Sequence, residues 1–88
     1  MHHALFYDYV PDVLDRRDPY RARHLALIRE WRGRGELLAA GAFADPVDGA
    51  LFLFAAPRSR VEEFLAADPY VAAGLVRAYR IRALTLVD

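Results

Sequence analysis

Residues 18–31 read DPYRARHLALIREW, and the apolar side chains in this stretch do not recur at every second position. Tyr20, His24, Leu27, Ile28 and Trp31 fall at i, i+4, i+7, i+8 and i+11, one stripe of an amphipathic helix. Asp18-Pro19 at its head matches the preference for an acid at the N-cap and proline at the first helical position, and Gly33 and Gly35 end it. On either side the signals are those of strands. HALFYDYV, residues 3–10, is rich in aromatic and β-favouring side chains and stops at Pro11; PDVLDRRD, residues 11–18, is a polar connection. ELLAAGAF (36–43) and GALFLFAA (49–56) flank the turn-rich ADPVD and predict a hairpin.

A second helix is predicted from Ser59 in SRVEEFLAA, with Glu62 at capping-box spacing, and Asp68 opens a short turn or helix to about Gly74. LVRAYRIRALTLV, residues 75–87, supplies a last strand. The order β-α-β-β-α-β is the split βαβ arrangement: an α+β, ferredoxin-like protomer with an antiparallel sheet. No linker or low-complexity segment interrupts residues 1–88, which read as a single domain. The two DPY triplets, at 18–20 and 68–70, occupy non-equivalent places in this plan and make no internal repeat.

A domain of 88 residues buries only about 60–65% of the surface its unfolded chain exposes. Hydrophobic residues nevertheless make up 56% of this chain, above the ordinary share of about 45–50%. The strands carry that excess on both faces. Leu5, Tyr7 and Tyr9 point one way and Ala4 and Phe6 the other, while Leu51 and Leu53 oppose Phe52 and Phe54. Helices in a split βαβ plan cover one face only, so the other needs a partner, and a second copy of the same chain is the simplest one.

The formal net charge is zero, which leaves no long-range attraction for nucleic acid or an anionic membrane. All 12 basic residues are arginine, which removes lysine Schiff-base chemistry and reads as GC-rich, bacterial coding. There is no cysteine, hence no disulfide, thiolate nucleophile or Cys-based metal site. MHHALFYDYV lacks the marks of a signal peptide, and no apolar run approaches the ~18 residues of a membrane span, so a cytoplasmic location is expected. His2 and His3 would project to opposite sides of a strand and receive no role; without His-x-x-x-His spacing or a glycine-rich phosphate loop, neither a metal nor a cofactor is implied.

Two residues stand out against this background. His24 lies in the middle of the apolar stripe, where leucine would be the obvious filler, and must either bond a backbone carbonyl or meet another partner. Asp68 sits in AADPYVAAGL among small and apolar residues, where it is either a helix cap alone or a cap that also performs chemistry. A carboxylate against one nitrogen of His24 would fix the tautomer and free the other nitrogen as acid or base. It favours imidazolium while burial opposes it, and the residues alone leave that balance open. Asparagine at 68 should cap as well as aspartate. Arg21, three residues before His24, is either a solvated helix arginine or the receiver of a substrate oxygen, and Tyr7, Tyr9 and Tyr70 are packing residues or phenolic donors.

RARHLALIREWRGRGELLAAGAF and ADPYVAAGL together resemble the YciI-like, or YCII-related, proteins of the dimeric α+β barrel group, in the arginine, two residues, His-Leu run, the Gly-x-Leu-x-x-(Ala/Gly)-Gly stretch and the Asp-Pro-Tyr/Phe segment. The likeness covers nearly the whole chain. It implies a ferredoxin-like protomer, a homodimer pairing sheet faces, and a His/Asp centre at His24 and Asp68. Arg21, Tyr7, Gly41 and Tyr70 would then bind substrate, although AGAF here replaces the proline that many members carry after the glycine. Most members have no established reaction; one relative in chloroaromatic breakdown is a dehydrochlorinase, and the wider group includes muconolactone isomerase-like enzymes.

Three function classes follow. The first is a cofactor-free enzyme carrying out acid–base isomerisation or elimination on a small organic molecule. The second is a dimeric small-molecule binding or accessory protein without chemistry. The third is RNA binding, since LFYDYV and DGALFLFAA imitate the aromatic strands of an RRM. Zero net charge, no lysine and no basic residue before Gly49 argue against that third class.

Overall fold

Alternation along the first strand decides where the helices lie. In the computed structural model, which describes residues 1–88, Leu5, Tyr7 and Tyr9 are buried on one side of β1 (His2–Tyr9). The chain continues through α1 (Val13–Arg16), α2 (Asp18–Gly33), β2 (Leu37–Ala42), β3 (Gly49–Phe54), α3 (Arg58–Ala67), α4 (Pro69–Ala72) and β4 (Val76–Leu84). The four strands form one antiparallel sheet in the order β2-β3-β1-β4, as the split βαβ reading requires. Cross-strand register sets Leu5 opposite Phe52 and His3 opposite Phe54, so the helix side collects Leu5, Phe52, Phe54 and Leu37 over Trp31, Val61 and Phe64.

Several local expectations are corrected. The supposed polar connection after Pro11 contains the one-turn helix α1, because Val13 turns inward and is buried. Ser59 does not cap α3: that helix begins at Arg58 behind Pro57, and no side chain bonds its free N–H groups. The Ser59–Glu62 spacing therefore lies inside the first turn. Asp18 likewise makes no capping bond and is itself the first residue of α2. His3, assigned no role, is buried, with Nδ1 at 2.8 Å from the carbonyl oxygen of Ala56.

The end of α2 is pinned by charge over an aromatic. The guanidinium carbons of Arg34 and Arg60 stand 4.7 and 4.5 Å from the Trp31 ring centre, and both side chains bond Glu36. The hydrogen bonds from Arg60 hold the Glu36 carboxyl below the usual carboxylate range. On the opposite face of the sheet no helix packs. Leu51 is 37% exposed, Phe6 and Leu53 are half-buried, and the Arg80 guanidinium lies over the Phe6 ring. Phe52 and Phe54 both belong to the helix-side core, which settles their facing.

At Gly49 the strands approach so closely that an added Cβ would overlap the carbonyl oxygen of Tyr7, whereas Gly41 has open space. Gly49→Ala is expected to lower stability by about 1–3 kcal/mol, the usual cost of overpacking, and Gly41→Ala to change it little. Denaturant midpoints of the two variants check the contrast.

Candidate active site

Three elements converge on one carboxylate. Asp68 precedes α4 in extended backbone, as a residue before proline should, and its Oδ1 accepts the Tyr70 backbone N–H at 3.0 Å. The same Oδ1 lies 2.8 Å from His24 Nδ1, on α2. Oδ2 accepts the hydroxyl of Tyr7, on β1, at 2.5 Å. An ionised carboxylate can only accept, so Nδ1 of His24 carries a proton in this contact. Asp68 is 1% exposed, and with three donors its burial leaves no oxygen unsatisfied.

The tyrosine is a fixed donor. Burial, then the Asp68 charge, pushes the Tyr7 hydroxyl far above the ordinary phenol range, so it keeps its proton. His24 is 5% exposed, yet its second nitrogen has no partner within the protein and is not sealed in. Its ring lies flat on that of Tyr70, 3.7 Å between centres and 5° between planes. The Asp68 contact at Nδ1 and the Tyr70 face together fix the orientation of the ring.

His24 opens into a cleft of about 220 Å³ between α2 and the sheet. Arg17, just ahead of α2, and Arg21 and Ile28 on it line one side, Ala40, Gly41 and Ala42 of β2 another, and Tyr9, Phe52 and Tyr70 the core side. Of the residues singled out by sequence, His24, Arg21, Gly41 and Tyr70 therefore share one cleft. Tyr7 and Asp68 do not line it; they stand behind His24. Sequence reasoning named Tyr9 only in passing and missed Arg17 and Phe52. The one available signal for Arg17 was its i, i+4 relation to Arg21. No group of three or more His, Asp or Glu side chains converges as metal ligands. A larger depression of about 610 Å³ between α2 and α4, along Arg23, Leu27 and Ala72, does not reach His24.

Fold and site together define a ferredoxin-like α+β protein with a buried His–Asp–Tyr network under a small cleft. The chain belongs to the YCII-related domain family, whose match spans residues 1–85. Among curated proteins none matches this sequence. Among solved structures, 5-chloro-2-hydroxyhydroquinone dehydrochlorinase from Burkholderia phenoliruptrix AC1100, in complex with 2,5-dihydroxybenzoquinone, is similar over 97% of this chain and 94% of its own, with a TM-score of 0.82 and 20% identity. A NIPSNAP family protein from Agrobacterium tumefaciens is similar over 99% of this chain and 92% of its own (TM-score 0.61, 15% identity). An antibiotic biosynthesis monooxygenase is similar over 100% of both chains (TM-score 0.57, 19% identity). At these identities the likeness carries the fold. No helix of the chain is long and apolar enough to cross a membrane.

Two outcomes follow from the network. Asparagine at 68 can still accept the Tyr70 N–H, but its amide nitrogen cannot accept from Tyr7, so the neutral effect expected from capping alone does not hold. Asp68→Asn should cost about 1–3 kcal/mol in denaturant unfolding, whereas Asp18→Asn, at a position with no capping bond, should change little. The second outcome concerns pH. A phenol raised on folding contributes stability that is fully present below its unfolded value of 10.0 and lost as pH rises beyond it. Tyr7→Phe should therefore flatten the alkaline fall in stability measured between about pH 8 and pH 11.

Proposed function

We propose that this protein is a small cofactor-free enzyme that uses His24 and Asp68 for acid–base chemistry on a small organic molecule, by elimination of the dehydrochlorination type or by isomerisation. One observation carries the reading: a histidine with one nitrogen held by a buried carboxylate and the other free at a cleft. Nε2 takes a proton from the substrate, and the electron pair left behind forms a new double bond. In elimination a leaving group departs with its own bonding pair; in isomerisation the proton returns at another atom. Asp68 stabilises the imidazolium formed in between and Tyr7 holds Asp68. Arg21 and Tyr70 bind substrate oxygen, and Gly41 forms the cleft floor without a side chain to fill it. The family likeness to a dehydrochlorinase bound to a hydroxylated quinone supports this class of chemistry.

The working form in this proposal is a homodimer. Its support is the helix-free sheet face with Phe6, Leu51 and Leu53, apolar surface that a second copy would cover. Light scattering coupled to size exclusion should give twice the chain mass of 10.0 kDa, and Leu51→Glu should halve it without unfolding the chain. Neither a nucleic acid nor a membrane is part of this function.

Chloride release from chlorinated hydroxyhydroquinones, or proton exchange of hydroxyquinones with heavy water, tests the chemistry. His24→Asn should lower turnover by about 10²–10⁴-fold, the usual contribution of a general acid or base, while ligand affinity stays within a few-fold. A protein that only binds would have no turnover to lose.

A further inference from the structure

The mouth of the His24 cleft has a composition that the acid–base reading does not require. Its ionisable lining is Arg17, Arg21, His24 and the phenols Tyr9 and Tyr70, and no aspartate or glutamate lines it. Neither Arg17 nor Arg21 forms an ion pair or a side-chain hydrogen bond within the protein, while their neighbour Arg16 is occupied by Asp12 and the Ala73 carbonyl. Arg17, in helical backbone just ahead of α2, and Arg21 on its first turn stand at i, i+4, and two guanidiniums so placed repel each other unless an anion lies between them. Their fields also meet at one place. Burial raises both cleft phenols, and the charges of Arg17 and Arg21 together oppose that rise at Tyr9 and at Tyr70. At Tyr70 the carboxylates acting in the opposite sense are Asp68, buried behind His24, and Asp18, which does not line the cleft.

Resting on the proposed function, we infer that Arg17 and Arg21 select the substrate by charge: the cleft takes a planar, single-ring oxyanion, an enolate or phenolate, and rejects the neutral ring of the same shape. Size and shape follow from the walls. About 220 Å³ falls below the ~300 Å³ at which drug-sized pockets begin, and Tyr9, Phe52 and Tyr70 present aromatic surfaces. Orientation follows from the helix. Arg17 and His24 are seven residues apart, about 10 Å along the axis at about 1.5 Å per residue. The oxyanion therefore lies toward the start of α2 and the reacting carbon toward Nε2. Arginine suits this task because its fork of donors matches adjacent oxygens and it cannot lose its charge. Arg17 is thereby a specificity residue, not a proton-transfer group.

Titration calorimetry with 2,5-dihydroxybenzoquinone, ionised at neutral pH, and with its neutral 2,5-dimethoxy ether tests the inference. Wild type should bind the anion at least about ten-fold more tightly than the ether, with an advantage that shrinks as salt is added. Arg17→Gln should lose about ten-fold for the anion and leave the ether unchanged, and Arg17→Lys should recover part of the loss. Circular dichroism of both variants checks that they fold, and the salt dependence of wild type stands without them. Equal affinity for the two rings, an unaltered Arg17→Gln, or no binding of the anion overturns the inference. Failure of the acid–base reading looks different: His24→Asn would keep full turnover while the charge preference persisted.

Discussion

A carboxylate with less than a hundredth part of its surface in water would be among the costliest groups a small domain could carry if its oxygens lacked donors. Asp68 is nearly such a group, at 1% exposure, and its oxygens are met by a tyrosine from the central strand, a histidine from the long helix and a backbone N–H from the turn that it caps. Each donor comes from a different element, so β1, α2 and α4 must be in register before the charge is satisfied. Removing any one leaves part of a buried charge unpaired, a larger loss than the bond itself. The network thus ties the stability of the fold to the geometry of the cleft.

The division of labour around His24 follows from that arrangement. Nδ1 is committed to Asp68, and the ring is held flat against Tyr70, which leaves a single nitrogen free and fixes where it lies. Tyr9, Phe52 and Tyr70 give the cleft aromatic walls, and the strand β2 contributes only alanine and glycine there, which keeps it open. The core is therefore not uniformly apolar. Trp31, Phe54 and Phe64 fill one end with edge-to-face aromatic contacts, and the polar network occupies the other.

Much of this was legible along the chain, for a physical reason. The helix from Asp18 to Gly33 announces itself by period, and the four strands by β-favouring runs between turn signals, because neighbours three, four or two residues apart share a face. His24 stood out because a polar ring at a buried stripe position needs a partner. Local signals misled where a motif was matched without its backbone: Ser59 and Glu62 have the spacing of a capping box, but Pro57 in extended conformation starts the helix earlier. Val13 was hidden in a polar run for the opposite reason, since one inward residue in a single turn leaves no period to detect.

By itself the sequence determined the order of the four strands and the two main helices, the two-sided apolar character of the sheet strands, and the presence of an acid and a histidine in surroundings that demanded an explanation. Only the tertiary structure decided that these two residues meet, that Tyr7 stands behind Asp68 instead of facing a ligand, and that Arg17 joins Arg21 at the cleft. Periodicity encodes which way a side chain points within its own element. The contacts of the site join residues 44 and 61 positions apart, and their geometry depends on how helix and sheet cross, which no local pattern specifies.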